Sequence, residues 1–371
     1  MQHKFGALDL IRAGLQDLDR ARTLFDELHN DGIDGDRMRL LLATLEKACD
    51  PDIALSNLVD IIKVMQSQGK DFTNIIADEN SFVRLITVLG VSDEMGKLMR
   101  FRPELVEAAA NDACESHLYN HEQRRAHVLK SVGADPNDHT MPTASLPLAE
   151  AATALRKTYR KQLSAIMAQD ATANDPIEIQ PRISTELSDL ADAALEGALA
   201  IARHEVDGSE HVRFAIIGMG KLGAQELNYV SDVDLIYVVE PAGMDTNGMA
   251  LSRIGTKMAT TLQRVCQSVI MGVAEPTLWQ IDGGLRPEGK DGPLVRRLES
   301  HEAYYEQWAE NWEFQALLKA RPVAGDTDLG QAYMDMTRPF VWTASKRDNF
   351  VYDCQQMRKR VEDLIPNPLK D

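Results

Sequence analysis

Residues 218–236 read Gly218-Met219-Gly220-Lys221-Leu222-Gly223-Ala224-Gln225-Glu226-Leu227-Asn228-Tyr229-Val230-Ser231-Asp232-Val233-Asp234-Leu235-Ile236. The run follows Phe214-Ala215-Ile216-Ile217, an apolar segment that suits a buried strand, and leads into Val233–Val239, a second strand rich in β-branched residues. Gly218–Gly223 is formally a G-x-G-x-x-G element after a strand, the pattern of a dinucleotide-binding turn, with Glu240 near the place of a ribose-binding acid. Chain length argues against that reading. Parallel strands need a crossover of about a dozen residues, usually a helix, and only Ala224 to Ser231 separate Gly223 from Asp232. A nicotinamide-dependent oxidoreductase is therefore the weaker alternative.

The acids support another chemistry. Asp232 and Asp234 stand at i and i+2 where a strand begins, so both side chains leave the same face. Carboxylates so close repel unless a cation lies between them. Magnesium suits such a pair, because it takes a few carboxylates and completes its shell with water and substrate phosphates. Asp282, at the end of a third expected strand over Thr277–Ile281, is the candidate third ligand. Two ions held this way activate the attacking oxygen and stabilise the leaving one in an in-line displacement. Beside the acids, Gly218 and Gly220 let backbone N–H groups approach phosphate oxygens, and Lys221 adds a point charge.

Outward from this centre the chain is largely helical. The first 130 residues or so carry helical spacing, as at Leu58, Ile61, Ile62 and Met65, punctuated by Gly32, Gly35, Asp50-Pro51, Gly69 and Pro103. Gly133–Pro147 and Gln169–Pro181 read as loops, with helices over Leu148–Met167 and Ser184–His204. Asp135, Asn137, Asp138 and His139 fit a solvated turn better than an incomplete calcium loop. Leu251, Ile254, Met258, Leu262, Val265 and Val269 form a core stripe on an amphipathic helix. Helix resumes near Ser300 and again over Asn349–Leu364, before Pro366 and Pro368. Trp308 and Trp312, at i and i+4, read as packing residues.

The 371 residues carry a formal net charge of −17, which excludes a dedicated nucleic-acid binder built on a basic face. Met1–Gly6 lacks an apolar signal region, and no apolar run reaches membrane-spanning length. Cys49, Cys114, Cys266 and Cys354 have no metal-like or disulfide-like spacing and read as reduced, mostly buried thiols of a cytoplasmic protein.

Gly218–Ile236 closely resembles the signature GMGKLGG-x-ELN-x-SSD-x-DLI of the glutamine synthetase adenylyltransferase/adenylyl-removing enzyme family. Ile281-Asp282-Gly283-Gly284-Leu285-Arg286-Pro287 with Gly292-Pro293-Leu294 resembles its D-x-R-L-R-P…GPL, and Trp312-Glu313 through Lys319-Ala320-Arg321 resembles its W-E…A-L-x-K-A-R. Gly284 replaces the family's first Arg, and Ala224 replaces a Gly. Lys290, Arg296 and Arg297 are the candidate substitutes for the missing cation.

The resemblance implies an α+β, mostly helical chain with a polymerase-β-like nucleotidyltransferase domain and a mixed sheet, flanked by helical subdomains. It divides the chain into a helical N-terminal subdomain (1–140), a nucleotidyltransferase domain (141–330, sheet core about 211–300) and a truncated helical extension (331–371). It implies catalytic, metal-binding Asp232, Asp234 and Asp282, and a nucleotide and phosphate side formed by Gly218, Gly220, Lys221, Gly223, Ser231, Arg286, Lys319 and Arg321. Glu313, Lys319 and Arg321 read equally as a structural ion-pair network. The wording GMGKLG…ELN resembles the adenylyl-removing half. That half takes AMP from a tyrosine of glutamine synthetase by magnesium-dependent phosphorolysis to ADP and so regulates nitrogen assimilation. The alternatives are adenylylation from ATP and an inactive regulatory module. Glutamine synthetase and, in the longer protein of which this chain looks like an N-terminal fragment, PII signalling proteins are the implied partners. Neither nucleic acid nor membrane is expected.

Overall fold

The computed structural model describes residues 5–70, 72, 78–110, 119–243 and 248–364. Cys114, Pro366 and Pro368 lie outside the described residues. Contacts group the chain into two units, Met1–Tyr119 with Arg160–Ile183, and Asn120–Tyr159 with Ser184–Asp371. The helices Leu148–Ala171 and Pro176–Glu205 are divided between them.

The described part of the first unit is helical, and its helix starts follow from side-chain caps. Asp17, Asp34, Asp50, Asp78 and Ser92 each accept a backbone N–H from the first turn that follows. Pro51 and Pro103 open their helices, where a missing N–H costs nothing. Gly32 and Gly69, with φ of 91° and 66°, follow the ends of Leu18–Asn30 and Pro51–Ser67. Leu28, Leu41, Leu55, Leu58, Phe82, Leu85, Leu89 and Met99 form a core that is almost wholly inaccessible to solvent.

The second unit holds a mixed sheet. Strand β1 (Val212–Gly218) runs antiparallel to β2 (Val233–Pro241) and to β5 (Arg321–Gly325). On its other side β2 pairs in parallel with the two-residue strands β3 (Ile281–Asp282) and β4 (Val295–Arg296). Ala215, Ile217, Ile236 and Val238 pack with Tyr305, Phe314, Leu329 and Tyr333 from the helices Leu298–Gln307, Asn311–Leu317 and Thr327–Ala344. The chain is thus α+β and mostly helical. The antiparallel β1–β2 pair also removes the dinucleotide reading, which needs parallel neighbours. Glu240 instead accepts hydrogen bonds from the Arg297 side chain and the Leu298 backbone.

Several local expectations are corrected. The strand expected over Thr277–Ile281 is confined to Ile281–Asp282, because Leu278 N–H donates to the Cys266 carbonyl and Ile281 N–H to Gln267 Oε1. The loop expected over Gln169–Pro181 shrinks to Thr172–Asp175. Asp175 caps the next helix through Ile177 N–H, and Pro181 is accommodated inside that helix. Val269 lies beyond the end of Gly248–Gln267 and is 88% exposed, so it is not part of the core stripe. Trp308 is 72% exposed and ends the helix Leu298–Gln307, so it does not pack as expected. Of the three described cysteines only Cys266 is buried.

Candidate active site

Strand β1 ends at Gly218, and Met219 N–H donates to the Asp234 carbonyl, so the glycine turn is tied to β2 at the level of the acids. A single helical turn, Gly220–Gly223, follows. Gly220 has φ of 54°, and a Cβ built there would come within 2.4 Å of Asp234 Oδ2. Glycine at 220 therefore makes room for the carboxylate. Gly223 answers a different demand, since its Cβ would lie 1.9 Å from the Lys319 carbonyl oxygen and 2.5 Å from that of Gly218. The backbone of the Lys319–Arg321 segment thus closes directly over the glycine turn.

Parallel pairing of β2 with β3 sets Asp234 beside Asp282. Asp234 is half-buried, and its pKa is pushed up to about 6 by burial and then by the charges of Asp232 and Asp282, with Lys221 opposing. Asp232, Asp282 and Lys221 therefore each act electrostatically on Asp234. Asp232 and Lys221 are exposed, while Asp282 and Ser231 are half-buried. Asp232, Asp234 and Asp282 do not form a group whose ligand atoms all lie within 4.8 Å of one another. Asp282 Oδ1 accepts the Gly284 N–H at 2.6 Å, and a Cβ at Gly284 would stand 2.9 Å from that oxygen. The residue that departs from the family pattern thus touches the third acid.

The remaining predicted cations are occupied by protein groups. Arg286 donates to the carbonyls of Gly283, Lys290 and Gly292, bracing the loop that follows Asp282. Arg296 pairs with Glu288 and Arg297 with Glu240, whereas Lys290 is exposed. Lys319 pairs with Glu226 at 2.6 Å. Arg321 reaches both oxygens of Asp192, at 2.5 and 3.1 Å, and donates to the carbonyls of Leu222 and Gly223. Glu313 is buried and accepts Glu310 N–H and the Tyr304 hydroxyl, closing the capping box of Asn311–Leu317. It stands apart from the acids as a structural cap.

The sequence reading missed Asp189, Asp192 and Gln225. Gln225 (φ 57°) donates to Asp189, while Asp192 is completely buried and 3.7 Å from His121 Nε2. Ligand atoms of His121, Asp189 and Asp192 lie within 4.8 Å of one another, the composition of a metal site. Arg321, however, already holds both Asp192 oxygens, so a metal there would face a fixed guanidinium. His121 supplies further positive charge, its pKa raised by hydrogen bonding to Asp192. A signal for Asp192 did exist in the sequence: it interrupts the run Leu190–Ala202, in which every residue is buried, and a charge in such a run demands a partner.

The profile of the glutamate-ammonia ligase adenylyltransferase family matches residues 82–336. A protein of Bifidobacterium longum (strain DJO10A) is 74% identical over 368 residues, covering 99% of this chain and 34% of the relative. Relatives from Cutibacterium acnes and Streptomyces avermitilis are 40% and 38% identical, covering 96% of this chain in each case and 36% and 33% of the relatives. All three are named bifunctional glutamine synthetase adenylyltransferase/adenylyl-removing enzyme. The chain spans about a third of the length of these curated relatives.

Proposed function

The chain belongs to the glutamate-ammonia ligase adenylyltransferase family, and on that footing we propose that it carries the adenylyl-removing site, which takes AMP from a tyrosine of glutamine synthetase by phosphorolysis. The observation that carries this reading is Asp234, half-buried beside Asp282 on the neighbouring strand, its pKa raised by burial and then by the charges of Asp232 and Asp282. A site that brings two further carboxylates to bear on Asp234 is built for a cation, and oxygen ligands of this kind suit magnesium. Bound magnesium would supply charge neutralisation at the phosphate oxygens and at the departing oxygen.

The protein groups then have the following parts. Asp232, Asp234 and Asp282 would hold the cations. Gly218 and Gly220 keep backbone N–H groups of the turn accessible to phosphate, because the first turn of a helix leaves its leading N–H groups without intrahelical carbonyls. Lys221 and Ser231 flank the same phosphates, and Arg286 fixes the loop behind Asp282. An oxygen of inorganic phosphate attacks the AMP phosphorus, the bond from phosphorus to the tyrosine oxygen breaks, and the phenol regains a proton. The products are ADP and unmodified tyrosine. Adenylylation uses the same acids with the tyrosine oxygen attacking and pyrophosphate leaving, so the direction rests on the resemblance of GMGKLG…ELN to the removing half. Glutamine synthetase as substrate and PII proteins as regulators of the longer protein belong to the same reading.

The test incubates the chain with adenylylated glutamine synthetase, inorganic phosphate and magnesium and follows ADP. ADP formation that requires all three components supports removal. AMP transfer from ATP onto the unmodified enzyme, without ADP formation, reverses the direction. Absence of both activities contradicts a competent site in this chain.

A further inference from the structure

Asp192 and Arg321 stand behind the glycine turn, and four contacts define their relation to it. Both Asp192 oxygens pair with the two terminal nitrogens of Arg321. The same guanidinium donates from Nη2 to the Leu222 carbonyl at 3.1 Å and from Nε to the Gly223 carbonyl at 3.3 Å. Those carbonyls end the single helical turn Gly220–Gly223, and the Leu222 carbonyl accepts the Gln225 N–H as well. In the sheet Arg321 opposes Gly218, the last residue of β1. One side chain therefore joins the end of the turn, the strand that enters it, and a buried acid on Pro176–Glu205. Gln225, just past the turn, is tied to the same helix through Asp189 at 3.1 Å. With its fork engaged by Asp192 and two carbonyls, Arg321 has little donor capacity left for a substrate phosphate.

We infer that Asp192 and Arg321 act as a pair of positioning residues, which hold the Gly220–Gly223 turn in register with Asp234 and make no contact with the nucleotide. This rests on the reading of the turn and the acids as an adenylyl-transfer site. Arg321 aligns the turn and Asp192 aligns Arg321. Because Gly220 leaves only enough room for the Asp234 carboxylate, a small displacement of the turn reaches the acid directly. Lysine at 321 keeps the positive charge but lacks the fork that spans Asp192 and both carbonyls.

The experiment compares Asp192→Asn, Arg321→Lys and the double variant in the full 371-residue chain, by steady-state removal kinetics and by amide hydrogen exchange. Each single change is expected to lower kcat about 10- to 100-fold, the usual cost of sub-ångström misplacement, with KM for phosphate within about twofold of wild type. The double variant should be no slower than the slower single, because one coupling is lost in each. Exchange at Gly223, Gln225 and Glu226, whose N–H groups bond Met219, Leu222 and Lys221 carbonyls, should quicken by about tenfold. That arm needs no activity, so it reads the pair even if the functional assignment fails. Arg213→Lys, at the Arg213–Asp326 pair near the start of β1, is the control and should alter stability without altering kcat. If Asp192→Asn does not fold, Asp192→Glu replaces it, with partial retention of kcat expected. A KM for phosphate raised about tenfold in Arg321→Lys, with Asp192→Asn kinetically wild type, would place Arg321 on the substrate and overturn the inference. Unchanged exchange and kcat in folded single variants would overturn it as well.

Discussion

Two groups of acids in the second unit are made of the same side chains and are treated in opposite ways. Asp192 is buried, and both its oxygens pair with Arg321 beside His121, so the protein supplies its counter-charge; Asp189, half-buried, takes a hydrogen bond from Gln225 while burial raises its pKa. Asp234 is half-buried, and its neighbours are Asp232 and Asp282, with Lys221 as the opposing cation. Burial of carboxylates is thus not the mark of a site. The difference lies in the neighbours: Arg321 pairs directly with Asp192, whereas the charges that act on Asp234 are two further acids opposed by Lys221.

The comparison breaks most readily at the Asp234 group. Asp234→Asn and Asp282→Asn are each expected to lower adenylyl removal by about 10³-fold or more, measured as ADP release under saturating magnesium. Activity within tenfold of wild type would mean that the two clusters do not differ in kind. Gly220→Ala comes next. Its Cβ would meet Asp234 Oδ2 at 2.4 Å and the residue has φ of 54°, so a loss of about 10²-fold is expected from displacement of the acid. An active Gly220→Ala chain would show that the turn tolerates a shift away from Asp234. The smallest effect lies at the Asp192 group. The pKa of His121 is raised above its ordinary 6.5, chiefly by its hydrogen bond to Asp192. Its contribution to stability is therefore fully present below pH 6.5 and is lost as pH rises through the folded-state value. Urea midpoints of wild type and His121→Gln should differ at pH 6 and converge toward pH 9, and a constant difference would remove His121 from the network.

How much of this was legible in the sequence depends on the reach of each signal. Strands β1 and β2 announce themselves as apolar runs, and eight residues between Gly223 and Asp232 suffice to exclude a parallel crossover. Asp282 was found through its position ahead of Gly283 and Gly284 and through the family pattern. Strands β3 and β4, at two residues each, are too short to show periodicity. Strand β5 reads Arg-Pro-Val-Ala-Gly and carries no alternation. It lies outside the sheet core expected over about 211–300, which hid the placement of Arg321 against Gly218. Asp192 shows in the sequence only as a charge within an apolar run, and its partner, 129 residues away, does not show at all. The glycines were read as openings for phosphate, whereas Gly220 and Gly223 first answer contacts with Asp234 and the Lys319 carbonyl that only the folded chain brings together.

The proposed contrast, a cation-binding role for the Asp234 group and an internal ion pair for Asp192, predicts opposite signs for the same substitution. Raised to about 6, the pKa of Asp234 makes the folded state lose stability as pH climbs from about 4 through 6. Asp234→Asn should therefore gain up to about 3 kcal/mol at pH 7.5 without divalent ions, and magnesium should stabilise wild type but not the variant. Asp192→Asn, which strands Arg321, should lose on the order of 2–3 kcal/mol under the same conditions, with its magnesium response intact. Equilibrium urea unfolding of the three proteins in EDTA and in magnesium measures both signs at once. Destabilisation by Asp234→Asn in EDTA, together with a wild type indifferent to magnesium, would contradict the account.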